Sequence, residues 1–231
     1  MKIGIIGAMD SEIARFLEDL TEKQVHQIHG FSYYEGMMAG REVVITKSGV
    51  GKVNAAICAT TLISHFQVKS VLFTGVAGAV HPDLEIGDIV VSSECQYHDV
   101  DVTALGFVRG QIPFQETSIF PADPALVQWA EEAGQEMDGV QVKVGKVLSG
   151  DQFISSVEAV HMLREELQGA CVEMEGAAVA HVCFMLKTPF IVIRSMSDRA
   201  DHSAHVNFEE FTILAADRSY TMVSYLLHKI A

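Results

Sequence analysis

Short β-branched runs, each closed by glycine or polar residues and separated by stretches of helical periodicity, confine this chain to an α/β fold. Phe190-Ile191-Val192-Ile193, between Pro189 and a polar stretch, reads as a buried parallel strand. Lys2 to Ile6, Ser70 to Thr74, Asp88 to Glu94 and Gln141 to Leu148 are strands of the same kind, and Phe31 to Met38 with Glu42 to Lys47 form a hairpin around Ala39-Gly40-Arg41. Helices are predicted over Asp10 to Leu20 with Asp10 as N-cap, Val53 to Phe66, Pro124 to Met137, Val157 to Leu167, Gly176 to Leu186 and Phe208 to His228. Asn207 and Glu210 offer the last of these a capping-box-like start. The stretch Gly106 to Ala122 shows little periodicity and reads as a mobile or partner-contacting loop. Alternating elements of this kind give a three-layer α/β/α sandwich around a central mixed, largely parallel β-sheet, in one domain spanning 1–231.

Composition removes several classes of partner. A net charge of −14 opposes binding to a phosphate backbone or an anionic membrane surface, so neither nucleic acid nor membrane is expected. Cys58, Cys95, Cys171 and Cys183 are widely spaced without a CxxC pair, which fits a reduced, cytoplasmic protein. The apolar run Ile3 to Ile6 is too short for a signal peptide, and no segment reaches the roughly 18 apolar residues of a membrane span.

The chemistry concentrates at predicted strand ends, where open α/β sheets bind ligands. Glu173-Met174-Glu175 precedes the helix near Gly176, and Arg194-Ser195-Met196-Ser197-Asp198 follows the Phe190 strand, placing Asp198 just beyond its carboxyl end. Such acids can hold a sugar and protonate a leaving base. A carboxyl shielded from water by a bound purine can donate a proton, which suits Asp198. Glu175 lies at a helix N-terminus, where the macrodipole is expected to keep it ionised for ribose hydroxyls and for positive charge developing on the sugar. Glu12 reads either as a first-turn acid complementing its helix or as a group that orients and deprotonates a water.

The glycine stretches have structural readings. Ser48-Gly49-Val50-Gly51-Lys52 lacks the glycine at position 46 and the hydroxyl at position 53 of a P-loop, and Gly4-Ile5-Ile6-Gly7 misses the dinucleotide fingerprint. Gly75-Val76-Ala77-Gly78 is suited to letting backbone approach a flat ligand. His202 and His205 beside Asp201 read as a solvated loop, so no metal and no organic cofactor is expected.

These residues together resemble the bacterial 5′-methylthioadenosine/S-adenosylhomocysteine nucleosidases of the purine nucleoside phosphorylase superfamily. The carriers run from end to end: Lys2-Ile3-Gly4-Ile5-Ile6-Gly7-Ala8-Met9 with Glu12, Ser48 to Val53, Gly75 to Gly78, His98-Asp99-Val100-Asp101-Val102-Thr103-Ala104, Ser149-Gly150-Asp151-Gln152-Phe153, Val172 to Gly176 and Arg194 to Asp198. The resemblance implies a nucleoside phosphorylase-like fold and hydrolysis of the N-glycosidic bond of methylthioadenosine and S-adenosylhomocysteine, releasing adenine. It implies Asp198 as general acid toward purine N7, oriented by Ser197, and Glu12 as activator of the water. Met174 and Glu175 contact ribose, Phe153 stacks on adenine, the Ile154 backbone hydrogen-bonds it, and Ala77 and Gly78 lie along the nucleoside. Val50 and Phe208 line the alkylthio pocket, and Glu173 and Arg194 are counted with the substrate-binding residues. A homodimer is implied in which Val102, Leu105 and Pro113 complete the partner's site. Val76 stands where many members carry Ser, and Leu105 where many carry Phe. The rivals are another nucleosidase or a phosphate-dependent phosphorylase on the same scaffold, acting for example on aminofutalosine or inosine, and a non-catalytic nucleoside binder. Asp10 and Glu12 at the first strand end would repel phosphate, which favours water as nucleophile.

Overall fold

The computed structural model describes residues 1–200 and 204–230, the side chains of 204–210 excepted. In chain order the elements are β1 (Ile3–Gly7), α1 (Asp10–Asp19), β2 (Thr21–Ile28), β3 (Phe31–Met38), β4 (Arg41–Lys47), α2 (Lys52–Ser64), β5 (Ser70–Ala79), β6 (Ile89–Tyr97), β7 (Ile119–Pro121), α3 (Pro124–Gln135), β8 (Val142–Ser149), α4 (Val157–Glu165), β9 (Gly169–Glu173), α5 (Gly176–Met185), β10 (Phe190–Asp198) and α6 (Ala204–Lys229), with a short 3-10 turn at Thr103–Leu105.

Strand periodicity divides the core in two. Ile6, Val44, Val71, Phe73, Val90 and Val192 face α2 and α5, packing with Ala55, Cys58, Leu62, Ala177, Val179 and Cys183. Their neighbours Ile5, Val43, Ile45, Leu72, Ile89, Val91, Ile191 and Ile193 face the other way, onto Ile13 and Phe16 of α1, Leu126 and Ala130 of α3, and Val223 and Leu226 of α6. Successive side chains point to opposite faces of a strand, so runs that are apolar at every position are the signature of a sheet covered on both sides. The result is the expected three-layer α/β/α sandwich.

The sheet is mixed. Parallel pairs join β1 to β4 and β5, β10 to β5, β6 to β8 and β8 to β9. Antiparallel pairs, about as numerous, join β2 to β3, β3 to β4, β5 to β9, β6 to β7 and β6 to β10. The order β10-β6-β8-β9-β5-β1-β4-β3-β2 carries an additional β10–β5 pairing, so β5, β9, β8, β6 and β10 close into a ring. Closure brings the carboxyl ends of β5, β9 and β10 together.

Several boundaries differ from the sequence reading. The Phe190 strand continues through Asp198, so the acid is a strand residue and not a loop residue beyond it. Met9, not Asp10, is the N-cap of α1; Asp10 is its first residue and pairs with Lys47 at 2.8 Å. β2 and β9 were not predicted, and the Gly106 to Ala122 stretch contains β7, paired to β6. The last helix begins at Ala204, upstream of the Asn207-Glu210 signal. Asp201 and His202 lie outside the described residues, as do the side chains of His205, Asn207, Phe208 and Glu210.

Candidate active site

A cleft opens over the converging strand ends. Its walls come from the β1–α1 junction (Ala8, Met9, Glu12), Val50, β5 (Val76, Ala77, Gly78), the loop after β8 (Gln152, Phe153, Ile154), the β9–α5 junction (Val172, Glu173, Met174, Glu175) and the end of β10 (Ser197, Asp198). Apolar walls with a few convergent acids are the ordinary make-up of a small-molecule site. Phe153 and Val50 are half exposed at its edge, whereas Glu12, Glu175, Ser197 and Asp198 are buried.

Glu12 is fixed by backbone donors. Its Oε2 accepts from Ala8 N at 2.6 Å and Met9 N at 2.9 Å, capping α1, while Oε1 accepts from Val76 N at 3.0 Å. Burial pushes its carboxyl above the usual carboxylate range, against the pull of Arg194 and the three N–H donors. Gly75 makes this possible. With φ of +155°, a Cβ there would sit 2.4 Å from Glu12 Oε1 and 2.6 Å from Arg194 Nη1. This β5 glycine therefore makes room for protein side chains, where the sequence reading gave the stretch to a ligand.

Asp198 is held from both sides: Oδ1 accepts from Ala200 N at 2.7 Å and Oδ2 from Ser197 Oγ at 2.9 Å. Gly78 lies against it, since a Cβ at that position would be 2.9 Å from Asp198 Oδ1.

Glu173 and Glu175 have different tasks. Both oxygens of Glu173 accept from Gly176 N, at 2.9 and 2.8 Å, and Oε2 also takes Glu175 N at 3.1 Å and Arg194 Nη2 at 2.6 Å. Ser149 Oγ donates to its Oε1 and accepts from Ala177 N at 2.6 Å. Glu173 thus caps α5 and anchors Arg194, which leaves it little capacity for a sugar although it borders the cleft. Glu175, the N-cap residue of α5, makes no side-chain cap bond and receives Gly51 N on Oε1 at 2.8 Å. Burial and the Glu173 charge push its carboxyl up to about 8, opposed by Arg194 and the Gly51 N–H. The expected dipole-stabilised carboxylate is overridden because desolvation in this pocket outweighs the helix terminus.

Arg194 does not line the cleft. It is 1% exposed, sits behind the acids with its guanidinium 3.9 Å from the Phe73 ring centroid, and approaches Glu175 Oε2 at 4.0 Å. Its place among the substrate contacts is therefore taken by the acids it neutralises. Val102, Leu105 and Pro113 also lie away from this chain's cleft, Leu105 being 75% exposed. Among the described residues, the cleft brings together Glu12, Val50, Ala77, Gly78, Phe153, Ile154, Glu173, Met174, Glu175, Ser197 and Asp198 of the predicted set. Ala8, Gln152 and Val172 also line it. Gly51 and Ser149 act through hydrogen bonds that no local pattern announces.

The sequence matches the Phosphorylase superfamily over residues 2–228. A 5′-methylthioadenosine/S-adenosylhomocysteine nucleosidase of Shewanella denitrificans is 45% identical, with all of both chains covered. The nucleosidase of that name from Neisseria meningitidis, solved with methylthio-immucillin-A, superposes with a TM-score of 0.95 at 39% identity over 99% of each chain. That from Colwellia psychrerythraea, solved with adenine, superposes with a TM-score of 0.94 at 42% identity over 98% of this chain and 94% of its own. The chain belongs to the Phosphorylase superfamily and, within it, to the family of the 5′-methylthioadenosine/S-adenosylhomocysteine nucleosidases.

Proposed function

We propose that this protein hydrolyses the N-glycosidic bond of 5′-methylthioadenosine and S-adenosylhomocysteine, releasing adenine and the thioribose product. The observation that carries the reading is the convergence of Asp198, Glu12 and Glu175, from three distant parts of the chain, on one cleft. It is supported by full-length identity to nucleosidases and by the adenine and nucleoside-analogue complexes of the superposing structures.

The cleft divides the work by wall. Adenine lies against Phe153, with the Ile154 backbone beside it and Asp198 at N7. Asp198 donates its proton to N7 as the bond from the base to the anomeric carbon breaks, and the bonding electrons leave with the base. Ser197 holds the acid in place. Glu175 accepts ribose hydroxyls beside Met174 and counters the positive charge developing on the sugar. Glu12 takes a proton from the water that attacks the anomeric carbon, and burial, by raising its carboxyl above the usual range, makes it a stronger base than an exposed carboxylate. Val50 faces the alkylthio group. Protonation of the base contributes about 10²–10⁴-fold.

Water is the nucleophile because no Lys, Arg or His is among the described residues lining the cleft, while Glu12 and Glu175 are. A phosphorylase needs donors that hold phosphate beside the anomeric carbon. Arg194, buried behind the acids, is already committed to Glu173.

The same reading extends to a homodimer acting in the cytoplasm in methionine salvage and removal of the methyl-cycle product. Exposed Leu105, Val108, Phe114, Phe184 and Met185 supply apolar surface for such an interface, with Val102, Leu105 and Pro113 reaching the partner's cleft. Among the described residues no helix is long and apolar enough to cross a membrane.

Adenine release, measured with and without phosphate and with product analysis, tests the assignment. Equal rates and a free thioribose product are expected. Strict phosphate dependence with a ribose-1-phosphate product overturns it.

A further inference from the structure

A second set of charges lies just behind the cleft, where three segments meet. Asp99, past the end of β6, accepts on Oδ2 from Lys52 Nζ at 2.5 Å and from Asp151 N at 2.9 Å. Asp151, in the loop after β8, accepts Lys52 N on Oδ1 at 2.9 Å and lies 3.5 Å from Lys52 Nζ through Oδ2. Lys52, the first residue of α2, is therefore gripped at its backbone and at the end of its side chain, and its ammonium lies 5.4 Å from the Tyr97 ring centroid. None of the three lines the cleft.

Their neighbours in the chain do touch the site. Gly51, immediately before Lys52, donates its N–H to Glu175, and Asp151 is followed directly by Gln152, Phe153 and Ile154 of the cleft wall. Gly51 has φ of +102°, a conformation side chains disfavour, and Asp151 Oδ1 lies 3.4 Å from where its Cβ would stand. Adjacent donors of one segment, Gly51 N–H and Lys52 N–H, are thus tied to Glu175 and to Asp151. Isolated, partly exposed ion pairs contribute little to stability. Here the Asp99 and Lys52 side chains are 16% and 23% exposed, and two of the links are backbone N–H bonds to carboxylates, which fix geometry.

We infer that Lys52, Asp99 and Asp151 form a positioning cluster that aims the Gly51 N–H at Glu175 and seats the Phe153 wall, so that residues outside the cleft set the state of the ribose-binding acid. The inference rests on the reading of Glu175 as that acid. Against the upward push of burial, Lys52 and the Asp151 N–H hold the Asp99 carboxyl below the usual range, consistent with a charged pair. His98 beside it is driven toward the neutral form by burial. The charges facing Glu175 are Glu173 from β9, Arg194 from β10 and Glu12 from α1, and none belongs to the cluster.

The double variant Lys52→Met/Asp99→Asn removes one charge of each sign. The net charge is preserved, and neither partner is left buried with an unpaired charge. Its Glu175 titration, followed by carboxyl ¹³C NMR and assigned with Glu175→Gln, should move to higher pH by about half a unit or more, because a hydrogen bond to the charged form is loosened. The acid limb of kcat/KM for methylthioadenosine should move the same way, with about a threefold loss near neutral pH for each half unit. Lys52→Arg, which keeps a cationic donor, should leave the titration in place. A purely structural role lowers the unfolding temperature and moves neither readout; a Glu175 titration indistinguishable from wild type in the double variant overturns the inference. Should the wild-type protein release no adenine, the nucleosidase reading falls, while the ligand-free titration still decides the cluster.

Discussion

Replacing Arg194 by Met tests the electrostatic frame of the site without touching its lining. The guanidinium is 1% exposed, donates to Glu173 at 2.6 Å and stands 4.0 Å from Glu175. Methionine keeps most of the packing against Phe73 but removes the charge. Breaking a buried pair by deleting one partner costs about 3–5 kcal/mol, since the remaining charge is left unpaired. For a chain of 231 residues that is a fall in unfolding temperature of about 6–20 °C.

The penalty depends on pH with a definite sign. Glu175 has a folded pKa of about 8 against an ordinary 4.5, so its burial is tolerated while protonated, and stability is lost as pH rises through that window. Arg194 lowers the pKa of both Glu175 and Glu12. Without it both acids bind protons more tightly in the folded state, and for Glu175, already protonated below about pH 8, the added loss of stability develops from about pH 8 upward, by about 1.4 kcal/mol for each unit of added shift. Urea unfolding of both proteins from about pH 7 to pH 9 measures this directly. A penalty below about 1 kcal/mol, or one that does not grow from about pH 7 to pH 9, refutes the claim that Arg194 compensates the buried acids.

Three further predictions concern the reaction. Asp198→Asn should reduce turnover by about 10²–10⁴-fold yet fold normally, since an amide oxygen can still accept Ala200 N–H and the amide can face Ser197 Oγ; near-wild-type turnover removes Asp198 from the mechanism. Glu12→Gln should stall water attack and also destabilise the fold by about 1–3 kcal/mol, because three backbone donors surround the carboxylate and an amide NH₂ must oppose one of them; hydrolysis at the wild-type rate contradicts the base assignment. A ligand with a protonated amine replacing the anomeric centre should bind at least about 10²-fold tighter than its neutral isostere in calorimetric titration; equal affinities argue against charge stabilisation by the acids.

Legibility followed the physical origin of each feature. Strands β1, β5 and β10 were readable because each opens on or soon after a run of consecutive apolar residues, Ile3 to Ile6, Val71 to Phe73 and Phe190 to Ile193, as burial on both faces demands. β2 was not: Thr21 to Gln24 and His26 are polar, and most of the strand is exposed at the sheet edge, where pairing with β3 supplies the order that hydrophobicity does not. β9 escaped because its five residues, Gly169 to Glu173, are too few to show a period. Glu12, Glu175 and Asp198 were findable as acids near strand ends. The separation of Glu173 from Glu175 was not, since it depends on which carboxylate reaches Ser149 and Arg194, both remote in sequence. The upward push on the Glu175 carboxyl was likewise invisible, because desolvation is a property of the assembled pocket.

The distribution of charge explains why an acid-rich pocket is worth its instability. Glu12, Glu173 and Glu175 share one guanidinium, and Glu173 takes most of it. The remaining two carboxyls are held above their ordinary pKa by burial, which Arg194 only partly opposes. A neutral nucleoside brings no positive charge. Departure of a protonated base leaves positive charge on the sugar between these acids, and that charge supplies the missing counterpart only at the transition state. An interaction absent from the ground state and present at the barrier top accelerates the reaction without tightening substrate binding. On the proposed mechanism, complete neutralisation by a second arginine would stabilise the fold and abolish that difference, so such a variant is expected to unfold at higher temperature and to turn over more slowly.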